Sequence, residues 1–291
     1  MTMNRYVIYN PLAGYGSVNE KLKKLREEYP EKTTFTDMTT IESYADYFSG
    51  VCEEDEIIIA GGDGTINRFV NQVDVQSLPC EILYYPTGTG NDFVRDICIE
   101  DTGKPFSIKK YLINLPTVEV NGEVHKFING VGYGIDGYCC EVGDALKAKS
   151  DKPVNYTAIA IKGLLFHYHP TNAVVTVDGV RHEYKKVWIA PTMNGRFYGG
   201  GMMPTPSQDR LNNEELSLML FHGSGKLKTL MVFPSLFKGE HINHTEMVAL
   251  HSGKEITVEF DSPTALQIDG ETVLGVTSYK ATAFAKEKAE L

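Results

Sequence analysis

The sequence predicts an α/β protein of two domains, an N-terminal α/β domain with a mainly parallel sheet and a C-terminal antiparallel, strand-rich domain. Three observations carry this prediction. Residues 1 to about 100 alternate apolar strand-like runs with helix-like runs, the pattern of a parallel sheet covered on both faces. Beyond about residue 116 the pattern turns to hairpins, with Asn121-Gly122 and Asp178-Gly179 each between two strand-like runs. The length of 291 residues is long for a single core. The boundaries follow as 1–116 and 117–275, with the terminal 276–291 assigned a return to the first domain.

Taken in order, Tyr6–Tyr9 reads as a buried strand, followed by the turn Asn10–Gly16. Ser17 and Glu20 have capping-box spacing and open an amphipathic helix toward Tyr29. Thr33–Thr36 is the second strand, and Thr39 with Glu42 repeats the box before a helix ending near Phe48 and Gly50. Ile57–Ala60 and Ile82–Tyr85 are the third and fourth strands, with helices over 66–73 and 93–97. In the second half the hairpins are Thr117–Val120 with Glu123–Ile128 and Ala173–Val177 with Val180–Ile189. Glu255–Phe260 and Ala265–Ile268 have strand character, and helices are expected over Tyr138–Lys149, Tyr156–His167 and Leu227–Phe237.

Composition narrows the function classes. A net charge of −10 argues against a general nucleic-acid binder, which needs a basic footprint. No apolar run reaches the roughly 18 residues of a membrane span, and Met1–Arg5 has no apolar signal-peptide core. The five cysteines form no C-x-x-C pair and suggest no disulfide framework. A cytosolic protein is expected.

Two glycine-hinged acidic turns carry the chemistry, Gly61-Gly62-Asp63-Gly64-Thr65 and Gly88-Thr89-Gly90-Asn91-Asp92. Each joins a strand to a helix. Glycines there admit close approach of backbone amides to a ligand, and the helix N-terminus favours an anion. A carboxylate inside an anion cradle requires an intervening cation, and Mg²⁺ bridges one or two carboxylates to substrate phosphates. The pair therefore points to a metal–nucleotide site. Other patterns are weaker. Gly132-x-Gly134-x-x-Gly137 matches a dinucleotide fingerprint literally, but no strand–turn–helix context is evident. Gly223–Lys226 is no Walker A loop because Leu220 stands at the first required glycine, and His167-x-His169 and His241-x-x-His244 read as ordinary histidines.

Together, Asn10-Pro11-x-x-Gly14, Gly61-Gly62-Asp63-Gly64-Thr65-x-Asn67 and Pro86-x-Gly88-Thr89-x-Asn91-Asp92-Phe93 resemble the catalytic domain of diacylglycerol kinases and related bacterial lipid kinases. The likeness continues through Asn129-x-x-Gly132-x-Gly134-x-Asp136, Gly199–Met202, Gly239-Glu240-His241 and Gln267-x-Asp269-Gly270-Glu271. It implies a β-sandwich-like second domain, an active site between the domains, and transfer of the ATP γ-phosphoryl group to a lipid hydroxyl, diacylglycerol being favoured. By position, Asn10, Pro11, Gly14, Thr39, Gly62, Asp63, Gly64, Thr65, Asn67, Gly88, Thr89 and Asn91 would contact ATP. Asp63 and Asp92 would support Mg²⁺, and Glu271 would be the general base, although Asp63 is a rival for that role. The resemblance also implies a peripheral, transient membrane contact and is compatible with a homodimer. One departure stands out: Asp209–Glu215 has Asn212 and Asn213 where an aspartate would hold a structural magnesium, so that ion is expected to be weak or absent. NAD kinases share the Gly-Gly-Asp-Gly-Thr turn, but Asn10-Pro11 and Gly88–Phe93 favour the lipid enzyme. A non-catalytic sensor would not need Asp63, Asp92 and Glu271 together.

Overall fold

The computed structural model describes residues 3–11, 17–88, 90–99, 103–149, 154–212 and 214–284. The chain forms two compact units, Met1–Asn114 and Leu115–Leu291. In the first, strands β1 (Arg5–Tyr9), β2 (Thr33–Asp37), β3 (Glu56–Gly61) and β4 (Glu81–Pro86) run parallel. The two-residue β5 (Phe106–Ser107) closes the edge antiparallel to β4, giving the order β2-β1-β3-β4-β5. Helices α1 (Ser17–Glu28), α2 (Tyr44–Tyr47), α3 (Asp63–Gln72), α4 (Asp92–Asp96) and α5 (Lys109–Leu112) alternate with the strands.

The run Ile57-Ile58-Ile59-Ala60 is fully buried, as a central strand covered on both faces requires. Ile58 and Ala60 pack with Val7, Tyr85 and the α1 residues Val18, Leu22 and Leu25, whose three- and four-residue spacing makes one helical stripe. Tyr44, Phe48 and Phe69 form a separate aromatic cluster, with centroids about one ring-packing distance apart (6.1–6.2 Å). The expected cap at Thr39 is displaced. Asp37 caps a short 3-10 turn over Met38–Thr40, and Ser43 caps α2 by accepting from the Asp46 amide. Asp37 outcompetes the box because its carboxylate accepts from both the amide and the hydroxyl of Thr39.

The second unit is antiparallel throughout its strand pairs. Its strands are β6 (Thr117–Val120), β7 (Glu123–Lys126), β8 (Gly130–Tyr133), β9 (Thr171–Val177), β10 (Val180–Val187), β11 (Thr192–Met193), β12 (Leu216–Phe221), β13 (Val248–Gly253), β14 (Glu255–Ile268) and β15 (Glu271–Thr282). The order is β13-β12-β11-β8-β14-β15-β6-β7, with β9 joined to β14 and β10 to β9. Three tight turns, Asn121-Gly122, Asp178-Gly179 and Asp269-Gly270, have positive φ at both positions, the backbone that two-residue hairpins demand. The two strand-like runs near 255–268 are one strand. β14 pairs β9 along Ile256–Phe260 and β8 along Leu266–Ile268, with a register irregularity between. Residues 276–282 do not return to the first sheet; they lie in β15, where 280–282 pair with β6, because Val276, Tyr279 and Ala281 are buried in this unit's own core. Residues 285–291 fall outside the described residues.

Helices α6 (Ile135–Lys147), α7 (Tyr156–Lys162) and α8 (Lys226–Val232) accompany this sheet. A π turn at Gly163–His167 extends α7, and a 3-10 turn at Phe233–Lys238 extends α8. Their apolar sides build a second core containing Ile135, Leu164, Trp188, Phe221 and Leu236. The approach of α6 to β14 is set at Gly137, where a Cβ would lie 1.9 Å from the Ala265 carbonyl oxygen. Gly137→Ala should therefore cost about 2–3 kcal/mol by forcing helix and strand apart. Thermal unfolding should show a drop of several degrees; an unchanged midpoint would refute this packing.

Candidate active site

The order β2-β1-β3-β4 reverses direction between β1 and β3, and ligands of open parallel sheets bind at strand carboxyl ends beside such a reversal. Asn10 and Pro11 directly follow β1, and the first acidic turn follows β3. Gly14 and Thr89 lie outside the described residues. Thr39 sits just beyond β2 in the turn already described.

The two acidic turns are tied together by backbone. The Gly61 carbonyl accepts from the amides of Thr87 (2.8 Å) and Gly88 (3.1 Å) and from the Tyr84 hydroxyl (2.9 Å). Gly62 caps α3, and its amide donates to Thr65 Oγ1 at 3.3 Å. A Cβ on Gly88 would meet Gly62 Cα at 2.7 Å, so only glycine permits this contact. Gly64 follows in the first turn of α3, and Asn67, nearly buried, lies further along it and accepts from Asn71 Nδ2 through its carbonyl (2.9 Å) and side chain (3.3 Å).

Asp63 joins the turns by side chain. Its carboxylate accepts from the amide of Asp92 (2.9 Å) and that of Phe93 (3.2 Å), the first amides of α4. These amides have no partner within their own helix, and the positive helix end favours a carboxylate. Asn91 adopts the left-handed conformation (φ 49°) and donates from Nδ2 to the Gly88 carbonyl at 3.0 Å. Among the described residues its buried Oδ1 has no hydrogen-bond donor, and a cation or donor brought by a ligand would satisfy it. Asp92, 4% exposed, pairs through Oδ1 with Arg95 Nη1 at 2.9 Å. Lys21 on α1 was missed by sequence reasoning; its ammonium donates to the Pro86 carbonyl at 2.7 Å, bringing a cation to the end of β4. Its place one residue after the Ser17–Glu20 capping pattern gives no hint of that reach.

Glu271, the first residue of β15, belongs to the second unit. It is exposed, and its carboxylate makes no hydrogen bond among the described residues. The neighbouring Asp269 is structural: its carboxylate accepts from the amides of Ile128 (2.6 Å), Asn129 (2.8 Å) and Gly130 (3.0 Å), clasping the start of β8. Gln267 Oε1 accepts from the Gly270 amide at 2.7 Å and fixes the turn that presents Glu271.

The motif Gly132-x-Gly134-x-x-Gly137 does lie on a strand–turn–helix, β8 into α6, contrary to the sequence reading. Its glycines are filled by protein. A Cβ at Gly134 would strike the Trp188 carbonyl at 2.6 Å, and one at Gly132 would strike Asp136 Oδ2 at 1.7 Å. Asp136 is 8% exposed. Burial raises its carboxyl to about 6, offset by the nearby amide of Gly137, its own amide and the Tyr198 hydroxyl. None of these neighbours reaches hydrogen-bonding geometry with it. Burial, then Asp136 and Asp144, push the Cys140 thiol up to about 12 against the opposing charge of Lys147, and Glu271 adds a smaller push. Glu271 therefore lies within electrostatic reach of Cys140 on α6.

The chemistry of the donors bears on Mg²⁺. Asp63 and Asp92 are hard oxygen ligands on adjoining turns. That suits an ion held by one or two carboxylates and otherwise by water and phosphate. Among the described residues no group of three His, Cys, Asp or Glu forms a self-contained metal cage. Asp209 is occupied by its own loop, accepting from the amides of Leu211 (3.0 Å) and Asn212 (3.2 Å) and from Asn212 Nδ2 (2.7 Å). Asn213 is outside the described residues.

Residues 4–117 match the diacylglycerol kinase catalytic domain, and residues 129–284 match the YegS C-terminal NAD kinase beta sandwich-like domain. The chain belongs to the diacylglycerol kinase catalytic-domain family. A relative from Bacillus subtilis (strain 168) named diacylglycerol kinase is 26% identical over 276 residues, covering 91% of this chain and 88% of that protein. Another so named, from Mycobacterium tuberculosis (strain CDC 1551 / Oshkosh), is 24% identical over 213 residues, 70% and 67% of the two chains. A crystal structure of a diacylglycerol kinase from Bacillus anthracis str. Sterne superposes with a TM-score of 0.59 at 18% identity, covering 97% and 94%, and shares the fold.

In this family member the buried Asp136 makes stability depend on pH. Below about pH 4 both native and unfolded chains hold its proton; between there and about 6 only the native chain does, so stability falls as pH rises. The loss, on the order of 3 kcal/mol, is complete above about pH 6. Asp136→Asn should thus be clearly more stable than the parent at pH 7.5 and nearly equal to it near pH 4, read by urea unfolding at both. A pH-independent difference would show that the carboxyl does not titrate as its burial requires.

Proposed function

We propose that this chain is an ATP-dependent lipid kinase that transfers the γ-phosphoryl group to the hydroxyl of diacylglycerol or a related lipid. Family membership supports a lipid kinase and implies ATP as the donor. The observation that carries the reading to particular residues is the Asp63 carboxylate on the first amides of α4, which locks two glycine turns side by side. In this reading the Gly64 amide and the Thr65 hydroxyl face phosphate oxygens at the N-terminus of α3, and Gly62 and Gly88, which carry no side chain, let the phosphates come close to the backbone. Asn10, Pro11, Gly14, Thr39, Asn67, Thr89 and Asn91 complete the ATP contacts. Asp63 and Asp92 would hold Mg²⁺, which when bound supplies charge neutralisation across the phosphates. Lys21, already directed at the end of β4, adds a positive charge beside the same turns.

Glu271 takes the acceptor hydroxyl's proton as the new O–P bond forms and the bond from the γ-phosphorus to the bridging oxygen breaks, leaving ADP. It is preferred to Asp63 because it is exposed and free of hydrogen bonds among the described residues, whereas both Asp63 oxygens already accept amides. Asp63 thus holds the turns and the ion. Among the described residues no helix is long and apolar enough to cross a membrane, and the reading places the enzyme in the cytoplasm, peripheral at the membrane face.

The deciding assay is ATP turnover with detergent-dispersed diacylglycerol, phosphatidylglycerol or a sphingoid base, and with NAD⁺. Transfer to a lipid supports the proposal. Transfer to NAD⁺ alone would make the protein an NAD kinase, and no transfer to any acceptor would leave a sensor. Glu271→Gln should lower kcat by about 10²–10⁴-fold with an unchanged melting temperature. Parent-like turnover in that variant would remove Glu271 from the mechanism.

A further inference from the structure

In the second unit one surface is apolar where a soluble helix should be polar. Helix α8 buries Thr229 and Val232 and turns Leu227 and Met231, one helical turn apart, outward at 72% and 74% exposure. Phe237, in the 3-10 turn that follows, is exposed as well. Lys226 Nζ donates to the Leu165 carbonyl at 3.2 Å, fixing α8 beside the π turn that exposes Phe166 at 68%. Ile161, on α7 just before that turn, is also exposed. A helix normally keeps charged or polar residues on its solvent side, and clustered exposed apolar residues mark a docking surface.

Charge tells what docks there. The chain carries 38 Asp and Glu, yet residues 154–172 and 222–238, which build this surface, contain none. They contribute Lys162, Lys226, Lys228 and Lys238. Acids border these stretches: Glu246 pairs with Lys228 at 2.8 Å, Glu240 follows Lys238 by two residues, and α6, packed on α7, carries the exposed Glu141 and Asp144, the latter paired with Lys147. Apolar tips on segments whose charged residues are all lysines, in an otherwise acidic protein, are complementary to an anionic bilayer, into which the tips insert while the ammonium groups meet headgroup phosphates.

We propose that α7 with its π turn and α8 with its 3-10 extension form a docking face for anionic membranes. The proposal deepens the lipid-acceptor reading, and its test reads binding, so the two fail separately. The full chain is sedimented with vesicles of phosphatidylcholine alone and of phosphatidylcholine with phosphatidylglycerol. Binding should need phosphatidylglycerol and weaken as salt rises toward about 0.5 M. The double variant Leu227→Asp, Met231→Asp should lose at least about tenfold in partitioning, and Lys162→Glu with Lys238→Glu should abolish the preference for anionic lipid. Val124→Asp, at an exposed apolar position on β7, should bind like the parent. Turnover of a detergent-dispersed acceptor should be unaffected by all of these variants. No binding by the parent, equal loss in Val124→Asp, or a dimer split by Leu227→Asp, Met231→Asp with vesicle binding intact would overturn the proposal, the last by showing that a second copy covers the face.

Discussion

A carboxylate accepting two amides is the constraint on which the first unit's loop geometry depends. Asp63 starts α3 and, through its side chain, holds the first turn of α4. Neither helix start can shift without stranding two amide donors, a cost of about 1–3 kcal/mol for each donor left buried and unpaired. The Gly62–Gly88 contact works in the same direction, since any side chain at Gly88 would collide with backbone. Two loops that elsewhere would be independent are thereby one rigid surface of amides.

The second unit uses the same device differently. Asp269 accepts three amides at the start of β8, so the turn bearing Glu271 is anchored to a strand far away in sequence. Adjacent acids in one motif therefore divide their work, Asp269 binding backbone and Glu271 facing solvent. Asp136 is the opposite case, a carboxyl sealed beneath Gly132 with neighbours but no formed hydrogen bond. Its proton is what makes its burial tolerable at mildly acidic pH.

Much of the fold was legible because its signals are local. The isoleucine run of β3, the glycine turns after β3 and β4 and the two-residue hairpins announce themselves through burial period and positive φ. The short strands β5 and β11 were not legible, since two residues carry no period. Thr39 failed as a cap because Asp37, two residues earlier, is the stronger local acceptor. At the site, the residue types of both acidic turns could be read, but Lys21 and the Asp63–α4 bonds could not. Those are tertiary, joining positions 65 and about 30 residues apart. The outward apolar face of α8 was likewise hidden, because a sequence shows which residues share a helical side but not whether anything covers it.

Strand β14 has an architectural corollary. One edge of this single strand carries β9 along its first half and β8 along its second, and it ends at Ile268, immediately before the turn to Glu271. Inserting or deleting a residue in its second half would move that acid by about 3.3 Å and invert which residues point inward. The same edit at the Asn121-Gly122 tip, between β6 and the edge strand β7, would change only a hairpin end. Length variation among descendants of this chain should therefore collect at the tip, while the spine keeps its residue count.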